Sequence, residues 1–208
     1  NKNFLFSGVN INLDYGNIYG ISAESGAGKS TFVDLIMGFI KPNDGTILVD
    51  NIDVSKNILS WQKNIAYVPQ HLFLNNSSLL ENIIFNKNED DIDYQFLYKI
   101  IEKCQLNELI NSLPDGINSS VGELGKRLSG GQMQRIGIAR SLYRRSSLLI
   151  LDESTNSLDE ETESKIMDII FNLKKIMTIV LISHNQNIIK KCDKVITIKN
   201  KKIIISDE

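Results

Sequence analysis

Ala23-Glu24-Ser25-Gly26-Ala27-Gly28-Lys29-Ser30-Thr31 is the stretch on which the fold turns. Before it lies the apolar segment Asn17 to Ser22, which has the pattern of a buried strand. After it, Thr31 to Phe39 has the pattern of a helix, stopped by Pro42 and the turn Asn43-Asp44-Gly45. Small residues between a strand and a helix let successive backbone N–H groups turn toward an anion, and the helix N-terminus adds its positive end. Ser25, Gly26, Ala27, Gly28, Lys29, Ser30 and Thr31 are therefore candidate nucleotide contacts. Lys29 is placed to reach the β- and γ-phosphates, and the Ser30 hydroxyl to hold Mg²⁺. The usual pattern begins with Gly where this chain has Ala23, a change that costs about 1 kcal/mol if the position requires φ > 0.

Working outward, Phe4 to Leu13 partly alternates and predicts a half-buried strand, and Thr46 to Val49 and Ile65 to Val68 predict two more short strands. Between about Leu72 and Arg145 strands are scarce, and Leu79 to Phe85, Tyr94 to Cys104 and Gln132 to Tyr143 are helical in pattern. From Leu148 the alternation resumes: strand 148–152, helix 160–175, strand 178–183, helix 185–191, strand 195–199. Strands alternating with helices imply an α/β core built on a mostly parallel sheet covered on both faces, here interrupted by a helical insertion.

Composition limits the function classes. The chain has 208 residues, 42% of them hydrophobic, enough to bury one real core. Its net charge of -2 argues against a general nucleic-acid surface. The pairs Arg144-Arg145, Lys190-Lys191 and Lys201-Lys202 predict solvated helix ends or turns. Cys104 and Cys192 match no metal or redox spacing and suit a reducing cytosol. No apolar run approaches the roughly 20 residues of a membrane span, so a soluble piece is expected. A start at Asn1 without Met, almost directly at a strand, suggests a segment of something longer.

Leu148-Leu149-Ile150-Leu151-Asp152-Glu153 is a buried strand ending in two carboxylates. Ligands of open α/β sheets bind at such carboxyl ends. Asp152 is placed to hold Mg²⁺ through water, and Glu153 to polarise the water that attacks a γ-phosphate. Leu128-Ser129-Gly130-Gly131-Gln132, followed by Gln134-Arg135 and an apolar helix, offers a second helix N-terminus with free N–H groups. A single γ-phosphate is not easily cupped by two such loops of one chain. The second loop makes sense if it serves a nucleotide held by a partner.

With these motifs in this order, the chain resembles the ATP-binding-cassette (ABC) ATPases almost end to end. Gln70 in Tyr67-Val68-Pro69-Gln70 matches that family's glutamine loop, Ser157-Leu158-Asp159 its interface-crossing loop, and His184 in Ile182-Ser183-His184 its switch histidine. The resemblance implies a P-loop NTPase core over about residues 1–71 and 146–208, an antiparallel β subdomain, and a helical subdomain over about residues 72–145. It implies ATP and Mg²⁺ as ligands, with Glu153, His184 and Gln70 catalytic and Ser30, Gln70 and Asp152 on the metal. It also implies a head-to-tail pair in which Ser129, Gly130, Gly131, Gln132 and Asp159 contact the partner's ATP, and the intact Glu153 and signature favour a homodimer.

Lys29 and Ser129 are 129 − 29 = 100 residues apart, without the long coiled coils of repair and cohesion relatives, and only one cassette is visible. Ser120-Val121-Gly122-Glu123-Leu124-Gly125 resembles a loop typical of exporters, and Leu72 to Ile83 resembles the exporter stretch that grips a coupling helix. Leu72, Phe73 and Leu74 are either core or a partner-facing patch. The implied role is ATP-driven export or flipping of lipids, lipid-linked sugars or peptides by a membrane domain absent from this chain, at the cytoplasmic face of the inner or plasma membrane. The alternative is a soluble ABC protein acting on nucleic acid or the ribosome, and a non-hydrolysing regulatory cassette is opposed by Glu153 and His184. Exporters normally stack adenine on an aromatic residue upstream of the segment at Phe4. Tyr15 and Tyr19 instead suit a turn and the core, so ATP affinity is expected to be weaker by the worth of one stack, about 0.5–1.5 kcal/mol.

Overall fold

The computed structural model describes residues 5–24, 26–85, 91–122, 125, 128–153 and 158–207. Its frame is a six-stranded sheet made of β1 (Ile18–Ala23), β4 (Ile65–Val68), β5 (Leu148–Asp152), β6 (Thr178–Ile182), β7 (Lys194–Lys199) and β8 (Lys202–Asp207). The spatial order is β4-β5-β6-β1-β7-β8. Every pairing is parallel except β7 with β8, which closes one edge as a hairpin. A separate two-stranded antiparallel ribbon pairs β2 (Leu48–Val49) with β3 (Ile52–Asp53).

Period-two alternation in the strands builds two cores. Leu149 and Leu151 of β5 and Ile179 and Leu181 of β6 enter one cluster with α3 (Leu79–Ile84), α4 (Tyr94–Lys103), α6 (Gly130–Tyr143) and α7 (Glu160–Asn172). Leu148, Ile150, Val180 and Ile182 enter the other, where Phe32, Val33 and Met37 of α1 (Lys29–Met37) cover the opposite face. β6 is buried along its whole length, as a parallel strand between two helical layers must be. Each such Leu or Ile contributes about 1.5–3 kcal/mol by leaving water. Shorter helices are α2 (Ile58–Lys63), α5 (Asn107–Ser112) and α8 (Gln186–Ile189).

Sequence chemistry sets the ends of the helices. α3 begins in a capping box between Ser78 and Glu81, and α6 in one between Ser129 and Gln132. Asp159 caps α7, whose first turn carries Glu160, Glu161 and Glu163 against the positive end of the helix. Gly38, at φ 71, ends α1 two residues before the predicted boundary and well before Pro42.

The predicted strand at Phe4 to Leu13 is absent over residues 5–13, and Phe4 lies outside the described residues. Phe6, Ile11 and Leu13 do pack on the second core, while Val9 is exposed. Over residues 5–13 the segment pairs with no strand of either sheet, and its Ser7 N–H donates to the Lys201 carbonyl at the β7–β8 turn. The helix predicted over 160–175 stops at Asn172, and that over 185–191 spans only Gln186–Ile189. The basic pairs fall where expected: Arg144 and Lys190 cap helix C-termini, and Lys201-Lys202 sits at the β7–β8 turn.

Candidate active site

Four adjacent parallel strands deliver the site to one edge of the sheet. The phosphate loop follows β1, His184 follows β6, Asp152 and Glu153 end β5, and Gln70 follows β4 through Pro69. The sheet thus brings together the residues expected to bind nucleotide and metal and to hydrolyse. Ser25 lies outside the described residues, as do Ser157 and Glu123 and Leu124 of the exporter-like loop.

In the phosphate loop, Gly26 (φ 77) and Gly28 (φ 103) are left-handed, the conformation that turns the chain into α1. A Cβ at Gly28 would also come within 2.8 Å of the Phe6 ring. Ala23 is the last residue of β1, paired with Ile198, and is not among the positive-φ residues. The strain conditional on a left-handed Ala23 therefore does not arise. Lys29 opens α1 half-buried, and the Ser30 side chain is exposed.

Glu153 is held at φ 47, a left-handed conformation that costs a non-glycine residue on the order of 1–3 kcal/mol. Its N–H donates to the Ile182 carbonyl of β6 at 3.0 Å, which ties the strained residue to the neighbouring strand. This geometry points the carboxylate at His184, whose Nε2 lies 2.8 Å from Glu153 Oε1. The loop carrying His184 is braced in turn. Asn185 donates its N–H to Ser183 Oγ at 3.0 Å and its side-chain amide to Glu163 of α7 at 3.1 Å. Beside the pair, the Tyr67 hydroxyl of β4 donates to Asp152 Oδ2 at 2.6 Å. Burial, then the Asp152 carboxylate, push the Tyr67 phenol well above its ordinary range, so it remains a donor.

The second loop is built at a different place. Ser129 Oγ accepts from Gln132 N at 3.3 Å, and Gln132 Oε1 accepts from Ser129 N at 2.8 Å. Of the three N–H groups expected to be free, that of Ser129 is therefore occupied. Those of Gly130 and Gly131 have no acceptor within their own helix. Gly131 meets α7 so closely that an added Cβ would stand 2.3 Å from Thr162 Cγ2, and one on Gly130 would stand 3.1 Å from Leu158. The N-termini of α6 and α7 thus sit side by side, and Asp159 lies with Ser129-Gly130-Gly131. Hydrogen bonds from Thr162, backbone first, hold the Asp159 carboxyl below its usual range. Among the described residues, no hydrogen bond or ion pair joins Ser129, Gly130, Gly131 or Gln132 to Lys29, Ser30 or Thr31.

Residues 6–156, well over half of the chain, match the family described as ABC transporter. The chain belongs to the ABC transporter family. It is that family's ATPase domain, with the mixed α/β fold expected of it. A Rickettsia typhi protein described as an export ATP-binding/permease protein is 38% identical over 96% of this chain and 34% of its own length. The ATP-dependent lipid A-core flippase of Wigglesworthia glossinidia brevipalpis is 39% identical over 94% of this chain and 34% of its own length. A bacterial Atm1-family ABC exporter solved with ATP bound superposes with a TM-score of 0.80 at 29% identity, over 91% of this chain and 33% of that one. The chain spans about a third of the length of these relatives. No described helix is long and apolar enough to cross a membrane. These relatives are exporters and flippases, and nothing among them supports the nucleic-acid alternative.

In this ABC domain the choice left open for residues 72–74 divides by residue. Leu74 is core, Leu72 is half-buried, and Phe73 is 70% exposed. The loop is anchored by Asn82, wholly buried, which donates to the Asn75 and Ser78 carbonyls and accepts from Asn75 N. Arg140 of α6 reaches over to donate to the Asn82 carbonyl at 2.8 Å. Sequence reasoning did not single out Tyr67, Glu163 or Thr162 as part of the site. The first stands three residues before Gln70, and the other two lie in the first turn after Asp159, so proximity to a motif was the signal available.

Proposed function

We propose that this domain hydrolyses ATP at a composite site shared with a second copy, driving a membrane part that exports or flips a lipid-like substrate. The observation that carries this reading is the Glu153–His184 pair, 2.8 Å apart on neighbouring strands and beside the strand that bears the phosphate loop. Gly26 to Thr31, with Ser25, wrap the phosphates with backbone N–H groups, and Lys29 neutralises the β- and γ-oxygens. Glu153 orients and polarises the attacking water, and His184 holds that carboxylate and reaches the γ-phosphate.

One carboxylate, one hydroxyl and one amide oxygen, from Asp152, Ser30 and Gln70, suit Mg²⁺, which favours few protein ligands alongside substrate phosphates and water. When bound, the ion supplies charge neutralisation to the phosphate oxygens. Tyr67 fixes the orientation of Asp152 through its hydroxyl. Ser129, Gly130, Gly131, Gln132 and Asp159 close on the nucleotide of the second copy, for which the N–H groups of Gly130 and Gly131, with no acceptor in their own helix, are suited.

The core, about residues 1–71 and 146–208, carries ATP, and the helical region, about residues 72–145, carries the partner-facing loop and the exposed Phe73 that meets the membrane part. The name of the flippase relative favours lipid-like cargo, and the ABC family resemblance favours a place at the cytoplasmic membrane face. The test is phosphate release from MgATP. Glu153→Gln is expected to lose a factor of about 10²–10⁴ in turnover while retaining ATP, and turnover equal to that of the unmodified chain overturns the assignment.

A further inference from the structure

The Glu153–His184 pair works only if the imidazole stands where the carboxylate meets it, and little of the ring itself is held. The His184 side chain is 58% exposed, so its place depends on the backbone of residues 183–185 rather than on packing. That backbone is fastened at one residue. Asn185 donates its N–H to Ser183 Oγ at 3.0 Å, and its side-chain amide is engaged at both ends. The oxygen Oδ1 accepts from Asn187 N at 3.0 Å and caps α8, while Nδ2 donates to Glu163 Oε2 at 3.1 Å. Asn185 and Glu163 are both half-buried, so water competes weakly for the bond between them.

Glu163 is a fixed point. Its N–H donates to the Asp159 carbonyl at 2.9 Å, inside the turn that Asp159 caps. One turn further along α7, Ile166 and Met167 are core residues, 1% and 4% exposed, which anchor the helix to the sheet. A carboxylate on an anchored helix thus grips the loop of an exposed histidine. Helix-end electrostatics favour an acid in this turn but do not require an acceptor opposite Asn185.

We propose that Glu163 is a positioning residue for hydrolysis, which sets His184 against Glu153 by holding the Asn185 amide. The catalytic consequence rests on the ATPase reading, whereas the placement of the ring is a property of the chain without nucleotide. An amide suits position 185 because its oxygen caps α8 while its nitrogen gives a hydrogen to the carboxylate. Asn185→Asp keeps the cap, loses the donor and sets two carboxylates against each other.

The experiment joins MgATP turnover of the full chain to imidazole NMR signals recorded without nucleotide. The chain has two histidines, so the His184 signals are those lost in His184→Ala. Asn185→Asp is expected to shift the His184 signals and to lower kcat by about tenfold or more, with KM changed by less than about threefold. Glu163→Gln, which keeps an oxygen for Asn185 and removes the charge, should leave kcat within about threefold. Adding Glu163→Gln to Asn185→Asp lets the new amide donate to the new carboxylate, and should restore both kcat and the His184 signals. A merely stabilising role for either residue does not give that restoration. Unmoved His184 signals in Asn185→Asp, a kcat equal to that of the unmodified chain, or a double variant as slow as Asn185→Asp would each overturn the proposal. No turnover in the unmodified chain, with the His184 signals behaving as expected, would instead overturn the ATPase reading and leave the placement of the ring standing.

Discussion

His184 Nε2 lies 2.8 Å from Glu153 Oε1, and it does so because Glu153 adopts φ 47 at the end of β5 and turns its carboxylate toward β6. The Glu153 side chain is 23% exposed and that of His184 58%, so the carboxylate is sheltered while the imidazole faces outward. A base hidden behind a more accessible donor is an arrangement in which each residue depends on the other's position.

That dependence predicts non-additivity. Glu153→Gln and His184→Ala should each cut MgATP turnover severely, and the double variant should be no slower than the worse single one, because groups acting as a unit are lost together. Turnover numbers for the three variants and the unmodified chain check this. Effects that simply multiply would show that the two residues act separately.

Tyr67→Phe removes the hydroxyl that donates to Asp152 Oδ2 at 2.6 Å and leaves the ring in β4. Loss of a group that orients a metal-binding carboxylate typically costs 10–100-fold in metal affinity. The Mg²⁺ concentration for half-maximal turnover should therefore rise by at least about tenfold, with ATP binding in the absence of Mg²⁺ unchanged. A magnesium titration of turnover with an unshifted midpoint would remove Tyr67 from the site.

Gly131 and Thr162 test the joint between α6 and α7. Gly131→Ala drives a methyl to 2.3 Å from Thr162 Cγ2 and must displace one helix N-terminus from the other. It should impair ATP-dependent self-association, and adding Thr162→Ser, which deletes that Cγ2 and keeps the hydroxyl, should restore much of it. Failure of rescue in the double variant, with the fold intact by circular dichroism, would place the effect elsewhere.

The parallel sheet, its helical layers and the carboxyl-edge site were legible because each rests on short-range pattern. Leu148 to Leu151 followed by two acids, and a glycine-bearing turn into Lys29, carry their meaning locally. Residues 5–13 misled because spaced apolar residues report packing on a core, which Ile11 and Leu13 achieve without joining a ladder. β3, α2, α5 and β8 were missed: β3 and α2 are only two and six residues long, Asn107–Ser112 lacks a capping side chain, and Lys202–Asp207 is an edge strand with weak alternation. The Tyr67–Asp152 and Gly131–Thr162 contacts join residues 85 and 31 positions apart, which only the folded sheet and helix packing bring together.

The most direct test of the composite site is the mass of the Glu153→Gln variant by light scattering, with and without MgATP. A monomer that becomes a dimer only with MgATP is the predicted result, because the Gly130 and Gly131 N–H groups then have a partner's nucleotide to meet. A monomer in both conditions, at MgATP concentrations shown to saturate binding, would contradict the account.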